Sequence, residues 1–199
     1  MFQSVIGVIA GVLAFVAFIP YAISIFRGKT KPQRSTFAIW SIISLVTLFS
    51  YFASGARQTI WIALVYAILQ LFIFVLSFKY GMGGLSRLDI ICLSGALIGV
   101  LAWVVTDNPA IALYASITSE FLGYVPLFKK AYIHPETEST LSWILGLLAA
   151  CLNLFALTTL RLDIALYPMY VVFSDGLVVA LLILSRRRLR REDAQAKNA

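Results

Sequence analysis

Seven long apolar stretches alternate with short polar or charged segments along the chain. A helix needs about 20 residues to cross a hydrocarbon core of about 30 Å, and each stretch is close to that length. The pattern therefore predicts seven transmembrane helices. Their ranges are 4–26, 36–54, 58–79, 89–105, 109–130, 140–158 and 164–185.

The polar and aromatic positions of the first half recur in the second half, 104 positions later. With this offset, helices 2 and 3 align with helices 6 and 7 without a gap, and helices 1 and 5 align through their prolines. An internal repeat of this kind is typical of transporters. The matched residues are Ser35, Thr36, Arg57 and Tyr66 in the first half and Ser139, Thr140, Arg161 and Tyr170 in the second.

The repeat predicts the domain organisation, because helix 4 has no counterpart. One linker helix between two three-helix units gives both units the same orientation in the membrane. The predicted fold is all-α and integral to the membrane, with two parallel triple-helix bundles in a 3+1+3 layout. The predicted divisions are 1–80 (first repeat), 81–108 (linker helix and its loops), 109–185 (second repeat) and 186–199 (basic tail).

Composition and charge agree with a membrane protein. Hydrophobic residues make up 61% of the chain, charged residues 13%, and the mean hydropathy is +0.92, which excludes a soluble globular domain. The basic residues collect after helices 1, 3, 5 and 7, so the N-terminus is expected outside and the C-terminus inside a plasma or inner cell membrane. The net charge of +7 then reflects these loops and a tail that faces lipid headgroups, and no nucleic acid is expected as a partner. The main basic residues are Arg27, Lys29, Lys31, Arg34, Lys79, Arg87, Lys129, Lys130, Arg186, Arg187, Arg188, Arg190 and Arg191.

Two prolines occupy related positions in helices 1 and 5. Pro20 and Pro126 each lie near the predicted cytoplasmic end of the helix, where the missing N–H and the ring clash favour a kink. A tolerated kink and a hinge both fit these positions. Small residues four apart predict close helix packing at Gly7/Gly11, Gly95/Gly99 and Gly146/Ala150.

The sequence around each proline is similar to a known family. Phe18-Ile19-Pro20-Tyr21 leads to Ser35-Thr36, and Tyr124-Val125-Pro126 leads to Ser139-Thr140. This arrangement resembles the PQ-loop superfamily, which includes the SWEET and SemiSWEET sugar carriers, the cystinosin-type exporters and the KDEL receptors. The resemblance implies a membrane transporter of the SWEET (MtN3/saliva) type. The family's glutamine is replaced by Tyr21 and Leu127, and we interpret Pro32-Gln33 in the following loop as coincidental.

Three polar residues are predicted near the middle of the membrane, where a carboxylate costs about 2.5–3.5 kcal/mol on insertion scales. Glu120, Asp175 and Gln70 lie at a similar depth in helices 5, 7 and 3. With a one-residue shift, Gln70 and Asp175 are related by the repeat, at a position that resembles the substrate-lining asparagines of the SWEET family. We expect all three to bind substrate, and Glu120 and Asp175 to carry a proton through the cycle. The alternative is that the two acids only specify helix packing.

Further polar and aromatic residues are candidates for the cavity wall. Tyr66 and Tyr170 are placed there about one turn from the midplane residues. Asn153 is a candidate for the outer part of the cavity, and a packing hydrogen bond fits it as well. Trp40 and Trp143 fit both an interfacial anchor and a pocket residue that stacks on substrate.

Enzymatic function is not expected. No histidine lies in a predicted helix, no metal-binding spacing is present, and the serines lack a base partner, so neither a metal nor another cofactor is predicted. His134 is expected in solvent, and Cys92 and Cys151 are expected to pack in the core. A Schiff-base lysine of the rhodopsin kind is also missing from 164–185.

The sequence therefore predicts an alternating-access transporter of a small polar solute, sugar-like or amino-acid-like, with proton coupling through Glu120 and Asp175. The alternative is a non-transporting PQ-loop-type membrane receptor or scaffold. The identity of the solute, the direction of transport and the presence of a homo-oligomer remain open at this level.

Overall fold

The protein is all-helical in the computed structural model, which describes residues 2–53, 60–105, 109–157 and 162–198. These ranges contain seven α-helices, one short 3₁₀ turn at Pro135–Thr137 and no strand. Arg57 and Arg161 of the repeat lie outside the described residues. The helices are α1 Phe2–Phe26, α2 Arg34–Ala53, α3 Ile60–Tyr80, α4 Arg87–Val104, α5 Pro109–Ile133, α6 Thr140–Phe155 and α7 Leu162–Asn198.

The ends of the helices follow from local polar residues. Ser139 caps α6, because its hydroxyl accepts a hydrogen bond from the Ser142 N–H at 3.4 Å. Ser86 and Asp89 form a reciprocal capping box at the start of α4: the Ser86 N–H donates to Asp89 Oδ2, and the Asp89 N–H donates to Ser86 Oγ. All seven predicted helices are therefore present, with ends close to those expected, and α7 extends beyond its predicted end through the basic tail.

The helices pack in two compact units, Met1–Thr30 with Phe128–Ala199 and Lys31–Leu127. In the first unit, α1 packs on α6, and α6 packs on α7. In the second unit, α2 packs on α3 and α4. These units group the helices by their contacts, whereas the repeats at 1–80 and 109–185 group them by their order in the chain. The division into two repeats and a linker helix therefore stays a prediction.

The predicted close-packing glycines differ in how closely neighbouring helices approach them. Gly95 and Gly99 of α4 face Leu122 and Ser119 of α5, and a Cβ at Gly95 would lie 2.8 Å from Leu122 Cδ1. The expected close packing is therefore found at this pair, whereas nothing lies within 4 Å of a Cβ at Gly11. Pro20 and Pro126 lie inside α1 and α5, and Pro168 lies inside α7, where the sequence analysis did not single it out.

The outer surfaces of the helices are strongly apolar. Two helical segments, Val5–Phe26 and Ala165–Ala196, are long and apolar enough to cross a membrane by length and composition. Only 17% of the first and 28% of the second apolar stretch is buried, unlike the core helix of a soluble protein. On α1 the exposed side chains recur every three or four residues, at Val5, Val8, Val12, Phe15, Ile19 and Ile23.

Candidate functional site

Gln70 of α3 is half-buried, and its amide oxygen is fully buried. Among the described residues, Gln70 Oε1 accepts no hydrogen bond. A buried acceptor without a partner costs about 1–3 kcal/mol relative to one that is satisfied. Such a group is therefore a candidate for a ligand contact.

Ser174 of α7 occupies the position that matches Gln70 without any shift, 104 residues later. Its side chain is completely buried, and its hydroxyl oxygen has no hydrogen-bond partner within the part of the chain that the structure describes. The sequence analysis paired Gln70 with Asp175, the next residue, and did not single out Ser174. Both halves of the repeat thus hold a buried, unpaired polar oxygen at the same position.

Asp175 lies next to Ser174 and is 7% exposed. Gly146 of α6 faces its carboxylate, since a Cβ at Gly146 would lie 3.6 Å from Asp175 Oδ2. The α6 backbone therefore lies close to the acid, at a distance where even a methyl group would make an ordinary contact.

Glu120 of α5 is half-buried, and α2 holds the backbone around it. Trp40 Nε1 donates to the Glu120 carbonyl at 3.2 Å, and the Thr36 hydroxyl donates to the Gly123 carbonyl at 2.7 Å. The Trp40 ring also meets Tyr124 edge to face, with 4.7 Å between ring centroids. Trp40 is therefore a buried residue that positions α5.

The remaining candidates differ in exposure. Tyr66 is 38% exposed and Asn153 is exposed, whereas Tyr170 is half-buried with its ring centroid 6.1 Å from that of Tyr167. The six candidates divide between the two units. Tyr66, Gln70 and Glu120 lie in the unit Lys31–Leu127, and Asn153, Tyr170 and Asp175 lie in the other.

A buried ion pair lies in the segment that precedes α6, and it was not predicted from the sequence. Lys130 Nζ contacts Glu138 Oε1, and the two side chains are 2% and 0% exposed. Tyr21 of α1 donates to the same oxygen at 3.4 Å, and Trp143 Nε1 donates to Glu138 Oε2 at 2.9 Å. Glu138 therefore joins α1, the end of α5 and α6 through one carboxylate.

This ion pair revises two expectations about individual residues. Lys130 was counted among the basic residues of the cytoplasmic loops, and it is buried, with Glu138 and the Thr137 carbonyl accepting its hydrogen bonds. Trp143 was assigned to the interface or the pocket, and its indole N–H is instead engaged by Glu138. The signal available in the sequence was a lysine and a glutamate eight residues apart around a short loop.

A second buried carboxylate was also missed, at the start of α4. Asp89 Oδ1 accepts hydrogen bonds from Ser35 Oγ at 2.5 Å and Gln33 Nε2 at 3.0 Å. Its Oδ2 accepts from the Gly84 N–H and from the N–H and hydroxyl of Ser86. Gln33 thus has a structural role, although Pro32-Gln33 was interpreted as coincidental.

The histidine and the two cysteines differ in their exposure to solvent. His134 is exposed beside Glu136, with 3.6 Å between His134 Nδ1 and Glu136 Oε1. Cys92 is buried as expected, Cys151 is half-buried, and both are free thiols. Among the described side chains, no three of His, Cys, Asp or Glu are grouped so that they could hold a metal ion.

Comparisons with protein-family models, with curated proteins and with solved structures find no match to this chain.

Proposed function

We propose that the protein is a PQ-loop-type membrane transporter that carries a small polar solute by alternating access. The observation that carries this proposal is the pair of unpaired buried oxygens, Gln70 Oε1 and Ser174 Oγ, at repeat-related positions. A polar atom held without a partner in an apolar helix is costly, and a bound solute with hydroxyl or amino groups would satisfy it. Two such atoms at matching positions favour a solute contact in each half of the repeat over an accident of packing.

The membrane location is supported by the apolar surfaces. Side chains that are exposed along α1, α3, α4 and α7 are mostly aliphatic or aromatic, and a soluble monomer rarely exposes apolar patches of that extent. In the proposed topology, all seven helices cross the membrane, with the N-terminus outside and the C-terminus inside. At 37 residues, α7 is about 55 Å long, so its end with Arg190 and Arg191 extends beyond a hydrocarbon core of about 30 Å.

The two acids indicate the class of solute. Asp175 directly follows Ser174, and Glu120 lies in the same unit as Gln70. An acidic residue in each unit favours a solute that is cationic, zwitterionic or rich in hydroxyls, and disfavours an anion. The same acids are our candidates for proton coupling. A carboxyl group inside the membrane costs less when it is protonated than when it is charged, so binding and release of a proton can accompany the transport cycle.

The test combines solute binding with substitutions at the paired positions. Purified protein is heated with glucose, alanine or lysine, which represent the three solute classes, and a solute that binds the folded state raises its unfolding temperature. Gln70→Leu and Ser174→Ala each remove one hydrogen bond to the solute. We expect each variant to need at least about fivefold more solute than wild type for the same rise in unfolding temperature. Without solute, Ser174→Ala keeps or raises the unfolding temperature, because it removes a hydroxyl that has no partner.

Ser41→Ala is the matched control. Its hydroxyl is also buried and unpaired among the described residues, but the repeat-related residue is Leu145. This variant should leave solute binding unchanged. Equal loss of binding in Ser41→Ala and Ser174→Ala, or no shift with any of the three solutes in wild type, would count against the proposed site. Binding without transport would favour the receptor alternative.

A further inference from the structure

The basic end of α7 carries five arginines, and two of them bind other parts of the protein. Arg186 donates to the Pro135 and Glu138 carbonyls, at 2.9 and 2.6 Å. Arg188 donates to the Tyr132 carbonyl at 3.0 Å, and its guanidinium carbon lies 4.3 Å from the centre of the Tyr132 ring. These two arginines therefore join α7 to the segment that precedes α6.

The other three arginines, Arg187, Arg190 and Arg191, form a second group. All three are exposed, and their side chains make no hydrogen bond or ion pair with any residue that the structure describes. Residues three and four apart lie on one face of a helix, so the three guanidinium groups share a face. From the sequence, all five arginines belong to one uniform basic tail, whereas in the structure only this group is available to a partner.

The exposed side of α7 changes from apolar to cationic within one turn. Met169, Phe173 and Leu184 are 53%, 63% and 62% exposed, and their spacing places them on the same side of the helix as Arg187. The helix is continuous over Leu162–Asn198, so the apolar and the cationic parts follow each other without a break. In the proposed membrane, the apolar part faces lipid chains, and the basic part begins where the chains end.

The spacing of these residues fits the headgroup layer of a membrane. At 1.5 Å per residue, Arg187 lies about 4.5 Å and Arg191 about 10 Å along the helix from Leu184. The headgroup layer is about 5–8 Å thick on each side, from the difference between the whole bilayer and its hydrocarbon core. Side chains of a helix lean toward its N-terminal end, so the long side chain of Arg191 extends back toward the membrane. All three guanidinium groups can therefore reach the lipid phosphates.

We infer that Arg187, Arg190 and Arg191 bind the phosphates of anionic phospholipids in the leaflet that borders this end of α7. Guanidinium groups donate paired hydrogen bonds to phosphate oxygens. Three such groups on one face favour a lipid with a net negative charge over a zwitterionic one. The acyl chains of this lipid lie along the apolar side of α7, beside Leu184. The inference rests on the proposed membrane location and is independent of solute transport.

Lipid titration of the full-length protein tests this inference. Protein in an uncharged detergent is heated with dioleoyl phosphatidylglycerol or dioleoyl phosphatidylcholine, and the lipid concentration that gives half of the maximal rise in unfolding temperature is measured. We expect wild type to need at least about tenfold less phosphatidylglycerol, since one basic residue near an anionic surface strengthens binding about fivefold. In the triple variant Arg187→Gln, Arg190→Gln and Arg191→Gln, the two concentrations should agree within about twofold.

A second triple variant, Arg27→Gln, Arg87→Gln and Lys129→Gln, is the matched control. It removes the same number of charges from exposed residues at or near the ends of three other helices. We expect it to keep the preference for phosphatidylglycerol, because its positions do not share a helix face. Equal loss of the preference in the two triple variants would show that the lipid responds to total charge and not to this face of α7. That result would overturn the inference.

Soluble anions separate a lipid site from a phosphate site. Inorganic phosphate and glycerol phosphate offer similar oxygens without acyl chains, so at the concentrations used for the lipid they should leave the unfolding temperature unchanged. A rise as large as that with phosphatidylglycerol would assign this face to a soluble anion and overturn the lipid. Raising the salt from 0.1 M to 1 M should reduce the preference for phosphatidylglycerol, since the Debye length falls from about 10 Å to about 3 Å.

The wild-type protein alone can contradict the inference, even where a triple variant fails to fold. Equal concentrations of the two lipids in wild type, or a preference that salt does not change, would each overturn it. Either result leaves the proposed transport untouched. The reverse outcome, a clear preference for phosphatidylglycerol without uptake of any solute, supports the lipid site and speaks against the proposed function.

Discussion

Two buried carboxylates, Asp89 and Glu138, organise the two packing units in different ways. Asp89 is held by uncharged donors, namely the side chains of Gln33, Ser35 and Ser86 and two backbone N–H groups. Glu138 is held by the Lys130 ammonium together with Tyr21 and Trp143. Glu138 lies just before α6, and Asp89 of α4 binds Gln33 and Ser35 at the start of α2. The start of the second helix of each repeat is therefore stabilised by a carboxylate with a different set of donors.

The residues at matching repeat positions show why the chemistry differs. Glu138 matches Arg34, which has the opposite charge and donates to the carbonyls of Ser77 and Gly83. After α3, the backbone turns, and the Met82 N–H donates to the Pro32 carbonyl at 2.9 Å. At the matching position in the second repeat, Arg186, the helix α7 continues without a turn.

In the second repeat, a side chain replaces that backbone contact. Arg186 of α7 donates to the Pro135 carbonyl at 2.9 Å, the role that the Met82 N–H has in the first repeat. The donors Met82 and Arg186 match in the repeat, and the accepting carbonyls are one residue out of register. The comparison teaches that the repeat preserves the place of a contact to within one residue, and not the kind of group that makes it. At this place, the unit containing Glu138 depends on a buried ion pair, whereas Asp89 in the other unit depends on uncharged donors.

The largest expected effect is the loss of the cation beside Glu138. Lys130→Met leaves a buried carboxylate without its charged partner, and breaking a buried pair in this way costs about 3–5 kcal/mol of unfolding free energy. Chemical denaturation in detergent measures the loss. The neighbouring Lys129→Met is the control, because Lys129 is exposed and its replacement should change stability by no more than about 0.5 kcal/mol.

A second substitution shows whether the charge is the cause. Adding Glu138→Gln to Lys130→Met removes the stranded charge, so the double variant should be more stable than Lys130→Met alone. Equal stability of Lys130→Met and Lys129→Met would show that the ion pair contributes nothing, and the comparison between the two units would lose its basis.

A smaller effect is expected at Asp89, where no cation is involved. Asp89→Asn replaces one accepting oxygen by an amide that donates, so part of the hydrogen bonding from Gln33, Ser35 or Ser86 is lost, at about 1.5–3 kcal/mol. The same denaturation experiment measures it, with the exposed Asp193→Asn as control. A loss at Asp89 that exceeds the loss at Lys130 would reverse the ranking of the two sites.

Much of the helical architecture could be predicted from the sequence, and the reasons are local. Long apolar runs, prolines and the Ser-Thr pairs mark helix interiors and ends, so all seven helices were predicted close to their observed bounds. The same patterns do not reveal which helices pack together. A repeat indicates equivalent segments, but the hydrogen bond from Tyr21 to Glu138 joins residues 117 positions apart and leaves no periodic signal.

The candidate site was predicted in part, for a related reason. Gln70 and Asp175 are conspicuous because they are polar within apolar helices. Ser174 is not, since serine is common in membrane helices and only the structure shows that its hydroxyl is buried and unpaired within the described residues. The burial of Lys130 was not predicted, because a lysine at a helix end is usually solvated and its partner Glu138 lies beyond the 3₁₀ turn that separates them in the chain.

The most direct test of the account is solute uptake by reconstituted protein, with and without an inward proton gradient. Wild type is compared with Asp175→Asn and Glu120→Gln, one acid from each packing unit, using glucose, alanine and lysine as solutes. We predict gradient-stimulated uptake of at least one solute in wild type. We expect the stimulation to fall at least about tenfold in Asp175→Asn and less in Glu120→Gln, because Asp175 is the more deeply buried acid. Absence of uptake in wild type, or stimulation that both variants keep unchanged, would contradict it.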